Sequence, residues 1–410
     1  MRAAKALKST TSHVGINLAA DITALNSYAE SSRQIANALL TARVPFVINE
    51  VQPSYSIVRK AIYRTVLRSG NDSSWTDFVS KRNPHPVNLI RLNPLLCRRF
   101  YATNPEYFRG KSNIAIWAWE FAAFPEEWCS CFQPLNEIWA ISNYAREAIS
   151  KISPVPVRVL TPPLEIDESC LNPGLARQQL GVKKETVLFL FAFTGAAERK
   201  NPNAVLEAFT RAFGQADNVA LIIKTTPLPY PSLSMTYRGT KLGIAKTFKS
   251  SVETFRDLRT ITRASRKANA MILRHHLSRN DFLSLVSSCD CFVSLHRTEG
   301  FGQILAQAMY LGKPVIATGY SGNLDFMNDE NSLLVKYRLE PIGKYVGSYG
   351  RGSEKYTWAE ADVEHASELL RWVYEHREEA RAIGGKASQH VRGLMDPMRV
   401  EKKSVQNAPT

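Results

Sequence analysis

The sequence has 410 residues, 44% of them hydrophobic and 22% charged, which is ordinary for a globular protein of two or possibly three domains. Glycine and proline number 21 each, which excludes a collagen-like chain or Pro/Gly-rich disorder as the main theme. The net charge of +15 favours acidic partners such as phosphate groups, nucleic acid or anionic lipid heads, but it carries no information about the fold.

The cysteine content argues against both a disulfide scaffold and a zinc site. Six cysteines are too few for such a scaffold in this length. Two pairs are spaced Cys-x-Cys, Cys129 with Cys131 and Cys289 with Cys291, without the second pair or histidines that zinc sites use. We therefore expect reduced, buried thiols and no metal. No apolar run approaches the ~20 residues that span a bilayer, and residues 1–13 are expected to form a loose basic tail.

Strand and helix patterns alternate through the first half of the chain. The strand candidates are 14–18, 45–51, 87–93, 112–120, 137–142 and 158–164, and the helix candidates are 31–41 and 126–133. Short apolar strands that alternate with helices indicate a parallel sheet covered on both faces. We assign residues 14–178 to one Rossmann-like domain.

The same alternation begins again after a polar, turn-rich stretch at 167–185, which is typical of an interdomain linker. The strand candidates here are 187–193, 220–224, 291–295 and 313–318, and the helix candidates are 201–213, 303–311 and 362–394. We place a second Rossmann-like domain at 179–385, facing the first across a cleft. A C-terminal helix and tail at 386–410 could pack back on the N-terminal domain.

One segment, residues 237–276, breaks the alternation and carries a net charge of +8, with ten Lys and Arg against Glu253 and Asp257. It is rich in Ser and Thr with scattered apolar residues. One interpretation is a solvated helical insertion. The other is a surface helix that meets anionic lipid or a polyanionic acceptor.

Residues 289–325 combine a buried strand, a polar turn, a helix and a second strand. Gly300 and Gly302 let the backbone approach a ligand closely, and their amides open the helix, where unpaired N–H groups attract oxygen acceptors. Glu299 belongs to the same turn, and Gln307 lies further along the helix. These groups suit a hydroxylated, phosphorylated ligand at the carboxyl ends of parallel strands. The alternative is a Gly-rich turn without a ligand.

This stretch resembles the donor-site signature of the retaining group-1 glycosyltransferases of GT-B fold. Their pattern is Glu, Gly-Phe-Gly, a second Glu eight positions after the first, Ala-Met, and Gly-Lys-Pro-Val-Ile-Ala. The matching residues are Glu299, Gly300, Phe301, Gly302, Ala308, Met309, Gly312, Lys313, Pro314, Val315, Ile316 and Ala317. Residues 191–209 resemble the family's first donor-domain strand and basic loop, and 112–128 and 136–149 resemble the acceptor half of a bacterial branch. The resemblance therefore covers 14–390.

The resemblance implies that the N-terminal domain binds the acceptor and the C-terminal domain binds a nucleotide sugar. It implies that Glu299 contacts sugar hydroxyls, aided by the amides of Phe301 and Gly302. Lys200, with Arg199 beside it, would neutralise the departing diphosphate, whose negative charge grows in the transition state. The other residues implied in donor binding are Gly300, Gln303, Gln307, Lys224 and His296.

Three of these assignments allow a second interpretation. Glu120 has a family counterpart near the reaction centre on the acceptor side, but it could also be a surface-loop glutamate. Arg199 and Lys200 are either diphosphate ligands or a solvated pair. His296 is either a supporting donor to the sugar or a packed loop histidine.

The sequence departs from the family at three places. Gln307 replaces the second Glu, which accepts hydrogen bonds from both ribose hydroxyls, and an amide has one acceptor oxygen and an NH₂ donor. The acceptor-domain loop between Asp21 and Arg33 lacks the usual glycines. Thr194 stands where the family has an Arg, for which Arg199 could substitute. An impaired or noncatalytic GT-B module that binds glycan or a partner enzyme is therefore the alternative function.

Together these features predict a retaining hexosyltransferase that moves a sugar from a nucleotide sugar to a glycan or lipid-linked acceptor. The family implies bacterial cell-surface polysaccharide synthesis, in the cytoplasm or peripherally at the inner membrane face. The chain has no Asp-x-Asp motif and no phosphate-binding GxxxxGK[ST] loop, so we expect no metal and no other cofactor. A nucleic-acid partner is not expected either, because no zinc-finger or RNP motif is present.

Overall fold

The computed structural model of this chain describes residues 14–22, 27–51, 73–194, 197–225, 269–274, 277–342 and 356–398. The chain divides into two compact units. The first unit contains the residues up to Asp167 and those from Val391 onward, and the second contains Glu168–His390.

The first unit is built on a parallel β-sheet. Its six described strands are β1 (Ile16–Ala20), β2 (Phe46–Glu50), β3 (Val87–Arg91), β4 (Ser112–Trp117), β5 (Glu137–Ala140) and β6 (Val157–Val159). They pair in parallel in the order β2-β1-β3-β4-β5-β6. Their apolar side chains are largely buried, as expected for a sheet covered on both faces.

The helices of this unit follow the strands as predicted, with one difference in length. They are α1 (Ser27–Thr41), α2 (Pro94–Thr103), α3 (Pro105–Phe108) and α4 (Asn143–Ser150), with 3₁₀ turns at Ser73–Phe78 and Glu126–Phe132. Helix α1 begins at Ser27, before the predicted residue 31. Its first turns carry an ion pair between Arg33 and Glu30 at 2.9 Å, a spacing that stabilises a helix. Part of the predicted glycine-poor loop is therefore helix, and residues 23–26 of it lie outside the described residues.

A row of three buried asparagines crosses this sheet. Asn17 on β1 is in register with Asn88 on β3, and Asn88 is in register with Asn113 on β4. The Asn17 amide donates to the Asn88 side-chain oxygen at 3.0 Å, and the Asn88 amide donates to the Asn113 oxygen at 2.8 Å. The Asn113 amide then donates to the Phe108 carbonyl at 2.9 Å. Each amide is satisfied, so the row is a hydrogen-bonded part of the core.

The second unit contains a second parallel sheet and a β-hairpin. Its described strands are β7 (Val187–Phe193), β8 (Val219–Thr225), β9 (Ala270–Leu273), β10 (Cys291–Ser294), β11 (Val315–Thr318), β12 (Leu333–Val335), β13 (Tyr337–Pro341) and β14 (Thr357–Ala361). The sheet has the order β12-β11-β10-β7-β8-β9, and all of its pairs are parallel. Strands β13 and β14 pair antiparallel as a separate two-stranded sheet.

The helices of the second unit begin before β7. They are α5 (Pro173–Gln179), α6 (Ala197–Lys200), α7 (Pro202–Ala212), α8 (Arg279–Ser288), α9 (Gln303–Tyr310), α10 (Val363–Glu375) and α11 (Arg377–Leu394), with 3₁₀ turns at Glu168–Cys170 and Gly322–Asp325. All seven residues of β7 are buried, and α7 and α10 contribute Phe209 and Leu370 to the same core. The hydrophobic run that predicted a central strand therefore forms the centre of the sheet.

The stretch predicted as an interdomain linker, 167–185, is a packed part of the second unit. The Arg177 guanidinium donates to the Asp290 carboxylate at 2.6 Å and to the carbonyls of Ser288, Lys183 and Thr186. The change between the units falls at Asp167, whereas the sequence placed the boundary after residue 178. Composition does not reveal this packing because the stretch is polar and its contacts, such as the ion pair of Arg177 and the bond from the Asn172 amide to the Ser284 hydroxyl, are with residues more than 100 positions away.

Two further predictions differ from the structure or lie partly outside it. Cys131, Cys289 and Cys291 are buried as expected, but Cys129 is exposed. The basic insertion at 237–276 lies mostly outside the described residues, and its end forms β9, which pairs with β8. Among the helices that the structure describes, none has the length and apolar character needed to cross a membrane.

Candidate active site

The predicted donor-site residues lie at one edge of the second sheet. Strand β10 ends at Ser294, and the loop that follows leads into α9 at Gln303. The neighbouring strand β11 is in register with β10, with Ala317 opposite Ser294, and continues into a turn at 319–322. The two loops therefore leave adjacent parallel strands at their carboxyl ends, which is where ligands bind in this architecture.

Glu299 is the centre of a buried ion cluster in the first of these loops. The Glu299 side chain is 11% exposed and that of Arg199 is 10% exposed. One carboxylate oxygen accepts from the Arg199 guanidinium at 3.0 Å, and the other accepts from the Lys200 ammonium group. Arg199 also donates to the Thr298 carbonyl at 2.8 Å. The structure thus brings together the three residues that the resemblance assigned to the sugar and to the diphosphate.

The cluster fixes the ionisation state of Glu299. Burial by itself raises the pKa of this carboxyl group, but the charges of Lys200 and then Arg199 outweigh burial and lower the pKa to about 2. Glu299 is therefore ionised at neutral pH. It can accept hydrogen bonds from hydroxyl groups, and it has no proton to give as a general acid.

The turn after β11 holds the backbone of Glu299 in place. The Ser321 hydroxyl accepts a hydrogen bond from the Glu299 amide at 2.8 Å, and the Gly322 amide donates to the Glu299 carbonyl at 3.0 Å. A Cβ atom at Gly322 would lie 2.3 Å from the Gly300 carbonyl oxygen, so glycine is needed for this close approach. Gly319 and Gly322 mark a turn in the sequence, but Ser321 and Gly322 are not among the residues predicted for the site.

Gly302 shapes the start of α9. It is the residue before the helix and has a φ of +90°, a left-handed conformation that favours glycine. No side chain caps this helix terminus, so the first amides, beginning with that of Gln303, remain available to an oxygen acceptor. Phe301 is buried against the ring of Phe326 with a centroid distance of 5.0 Å. Phe301 thus anchors the turn that leads into α9.

Gln307 lies on α9, one helical turn after Gln303. The residue is 4% exposed, and its side-chain amide is not among the fully buried polar atoms that lack a partner in the described part of the chain. An amide that is largely covered but still reaches the surface can form hydrogen bonds with a ligand. This state fits a group whose partner is a ligand, which is the position that the resemblance gives to the ribose contact.

His296 is fully buried between β10 and the turn after β11. Its Nε2 lies 3.1 Å from the Asn323 side-chain oxygen and 3.3 Å from the Tyr320 carbonyl, which are both acceptors. Nε2 therefore carries the proton, and Nδ1 accepts from the Ser294 hydroxyl at 3.1 Å. Burial lowers the pKa of His296, so the ring is neutral. Both ring nitrogens are used within the protein, as a packed loop histidine would use them.

Lys224 lies near the carboxyl end of β8, opposite Ala192 of β7. Its ammonium group donates to the Thr225 carbonyl at 2.8 Å. Burial lowers the pKa of this lysine to about 8, because a charged ammonium group is disfavoured away from water. Lys224 therefore ends at the same edge of the second sheet as the Glu299 loop.

Glu120 belongs to the first unit, where it follows β4. Burial lowers the pKa of Arg91, at the end of β3, and Tyr28 and Glu120 act against this effect. Arg91 stacks over the Tyr28 ring at 4.4 Å. Glu120 thus faces a buried arginine of its own unit, and its role at the reaction centre stays a prediction. Among the described residues, no group of three or more His, Cys, Asp or Glu side chains is placed to hold a metal ion.

Two units, each with a six-stranded parallel sheet whose loops gather at the carboxyl ends of the strands, define an α/β protein of two Rossmann-like domains. Residues 175–390 match the model of the family "Glycosyl transferases group 1", which is more than half of the chain, and the protein belongs to this family. No curated protein sequence matches the chain.

Solved structures show the same fold at low sequence identity. Anabaena HepE, in complex with UDP and glucose, has 13% identity and a TM-score of 0.63 over 96% of this chain and 99% of its own. Sucrose-phosphate synthase from Thermosynechococcus elongatus has 14% identity and a TM-score of 0.63, covering 96% and 98%. A glycosyltransferase from Rickettsia africae has 10% identity and a TM-score of 0.61, covering 97% and 98%. These likenesses confirm the predicted GT-B fold.

Proposed function

We propose that the protein is a retaining hexosyltransferase that moves a sugar from a nucleotide sugar to a glycan or lipid-linked acceptor. We place this activity in bacterial cell-surface polysaccharide synthesis, in the cytoplasm or at the inner face of the membrane. The observation that carries the proposal is the buried cluster of Glu299 with Arg199 and Lys200, at the strand edge where the family signature lies. HepE, which shares the fold, binds UDP-glucose.

The two cations of the cluster suit a diphosphate leaving group. Buried Arg199 and half-buried Lys200 are preorganised by Glu299 before any ligand arrives, so they need little rearrangement when negative charge develops. Uncapped amides at the start of α9 add a further place for ligand oxygens. A charged site of this kind supplies electrostatic stabilisation and does not itself require a metal ion.

Glu299 has the properties of a hydrogen-bond acceptor rather than a nucleophile. Both of its carboxylate oxygens accept from cations, and its pKa of about 2 makes it a weak base. In the proposed reaction Glu299 orients sugar hydroxyls while the acceptor attacks from the face that the diphosphate leaves. The departing phosphate oxygen takes the acceptor's proton, so the sugar keeps its anomeric configuration.

Gln307 favours a second candidate, a GT-B module that binds ligand without catalysis. An amide in place of a carboxylate loses charge-assisted hydrogen bonds to a ribose. Gln307 nevertheless lies on the helix that begins at the signature turn, and its largely covered amide can still both accept and donate a hydrogen bond to a ligand. We therefore treat the noncatalytic module as an outcome to be tested.

Calorimetric titration of the protein with UDP, GDP, ADP and CDP tests the proposal, together with hydrolysis assays of the matching nucleotide sugars. We expect one nucleotide to bind, and Lys200→Ala to weaken its binding and to lower turnover by ~10²-fold. Lys184→Ala is the matched control, because Lys184 is an exposed lysine of the same unit, and it should change neither. Binding without turnover would favour the noncatalytic module. Absence of nucleotide binding by the wild-type protein would refute the transferase and favour a noncatalytic module that binds glycan or a partner enzyme.

A further inference from the structure

We propose that Glu360 is a positioning residue for the transfer reaction, because its carboxylate joins the chain segment that carries Lys200 to the segment that carries Glu299. This inference rests on the proposed function and extends the site to the hairpin strand β14. Neither the family signature nor the residues assigned above include Glu360.

The Glu360 carboxylate bridges two residues from different parts of the chain. One oxygen accepts from Nε of Arg297 at 2.6 Å, and the other accepts from the side-chain amide of Asn201 at 3.0 Å. The Arg297 and Glu360 side chains are 22% and 18% exposed, so the pair is mostly shielded from water. Asn201 directly follows Lys200, and Arg297 precedes Glu299 by two residues. One carboxylate therefore anchors both segments of the ion cluster.

Arg297 extends this connection to the backbone of α6. Its guanidinium donates to the Glu198 carbonyl at 2.6 Å, and its own amide donates to the Arg199 carbonyl at 2.8 Å. The guanidinium lies 4.9 Å from the centre of the Trp358 ring, and the Ala359 amide donates to the Arg297 carbonyl. Trp358 and Ala359 of β14 thus hold the side chain and the backbone of Arg297. Arg297 in turn holds the backbone of the helix that ends in Lys200.

The contact with Glu360 is important at Asn201, because the backbone of this residue has an unusual conformation. Its φ of 53° is left-handed, a conformation that residues with a side chain adopt less readily than glycine. The residue also separates Lys200 from Pro202, where α7 begins. The hydrogen bond to Glu360 holds the Asn201 side chain. It therefore helps to fix the backbone at the end of α6, where Lys200 is the last residue.

Glu360→Gln should disrupt this arrangement, although the two side chains have nearly the same size. The carboxylate accepts from two donors, whereas an amide has one acceptor oxygen, so its NH₂ group would face either Arg297 or Asn201. The lost ion pair would also leave the Arg297 charge partly buried. Small displacements of charged groups reduce catalysis strongly, so we expect the effect to appear at Lys200, which directly precedes Asn201 and pairs with Glu299.

Hydrogen–deuterium exchange of the ligand-free protein tests the structural half of the proposal. We expect Glu360→Gln to increase the exchange rate of the Arg297 amide, which donates to Arg199, by about fivefold or more. The Val187 amide, bonded to the Asn218 carbonyl elsewhere in the unit, should be unaffected. Glu340→Gln is the matched control, since Glu340 lies on the same hairpin and pairs with exposed Arg338. Equal exchange in wild type and Glu360→Gln would overturn the proposal.

A double-mutant cycle tests the functional half. Titration with the bound nucleoside diphosphate should show about fivefold weaker binding in Glu360→Gln than in wild type. In a Lys200→Ala background the same change should weaken binding by less than twofold, because the lysine to be positioned is gone. A purely structural role of Glu360 would give the same factor in both backgrounds, and that result would overturn the proposal. If Glu360→Gln does not fold, Glu360→Asp, which keeps the charge on a shorter side chain, takes its place in both measurements.

The two measurements separate this inference from the proposed function. If wild type binds a nucleotide but Glu360→Gln changes neither exchange nor affinity, the proposed function stands and the positioning role fails. If wild type binds none of UDP, GDP, ADP and CDP, the proposed function fails and the positioning role fails with it, even where exchange at Arg297 increases. Increased exchange together with a non-additive loss of affinity supports both.

Discussion

Replacing Glu299 by glutamine should destabilise the protein in a pH-dependent manner. Glutamine has nearly the size of glutamate and resembles its protonated form, so the variant removes the charge and little else. At neutral pH the wild-type carboxylate is paired with Arg199 and Lys200. The variant leaves these two buried cations without their counter-ion, a state that costs free energy of folding.

The magnitude follows from the shift in pKa. The carboxyl group has a pKa of 4.5 when unperturbed and about 2 in the folded protein, and each unit corresponds to ~1.4 kcal/mol. Ionised Glu299 thus contributes about 3 kcal/mol to the free energy of unfolding at pH 7. Because the folded pKa is the lower one, this contribution is present above the unfolded pKa and is lost as pH falls toward 2. At pH 3, between the two pKa values, roughly half of this contribution should remain.

Urea unfolding followed by circular dichroism, from pH 7 to pH 3, measures the difference between wild type and Glu299→Gln. The control is Glu340→Gln, whose partner Arg338 is exposed, and its effect should stay within about 0.5 kcal/mol at every pH. A difference for Glu299→Gln that is the same at pH 7 and pH 3 would refute the assignment of a strongly paired, ionised carboxylate at this position.

Two further variants address the ligand-facing parts of the site. Gln307→Glu supplies a second acceptor oxygen and should tighten nucleoside diphosphate binding by about 1 kcal/mol, or fivefold in Kd; weaker binding by calorimetry would mean that Gln307 uses its NH₂ as a donor. Gly322→Ala places a Cβ atom 2.3 Å from the Gly300 carbonyl oxygen, and should lower stability by about 1–3 kcal/mol and weaken nucleotide binding. Gly385→Ala, where a Cβ meets nothing within 4 Å, should instead raise thermal stability slightly; equal effects of the two alanines would contradict the close approach.

The fold could be predicted from sequence because its evidence is local. The run Val187–Phe193 is apolar throughout and forms a buried central strand. The Glu299 turn is readable for the same reason, since its glycines, its carboxylate and the following helix are consecutive. Elements with weak local patterns were missed, such as Ala270–Leu273, a short strand that follows a strongly basic stretch.

The rest of the site depends on contacts between distant residues. Arg199 and Glu299 are 100 residues apart; the family resemblance assigned both to the donor site, but the ion pair between them was not predicted. Arg297 and Glu360 are 63 residues apart, and neither has a local pattern that points to the other. Ser321 and Gly322 indicate a turn in the sequence. Their contact with the backbone of Glu299 could not be predicted, because it depends on the pairing of β10 with β11.

The asparagine row of the first sheet has a consequence for the carboxyl edge of that sheet. A strand that slipped by one residue would turn its asparagine to the opposite face and leave several buried amides unpaired, at ~1–3 kcal/mol each. The same slip in a sheet with only apolar side chains would cost less free energy, because an apolar side chain needs no hydrogen-bond partner at its new position. The three asparagines, Asn17, Asn88 and Asn113, therefore specify the register of β1, β3 and β4. By locking the strands at fixed relative heights, they determine that Arg91 emerges at the end of β3, where a single-residue shift would present Ile90 or Leu92 instead.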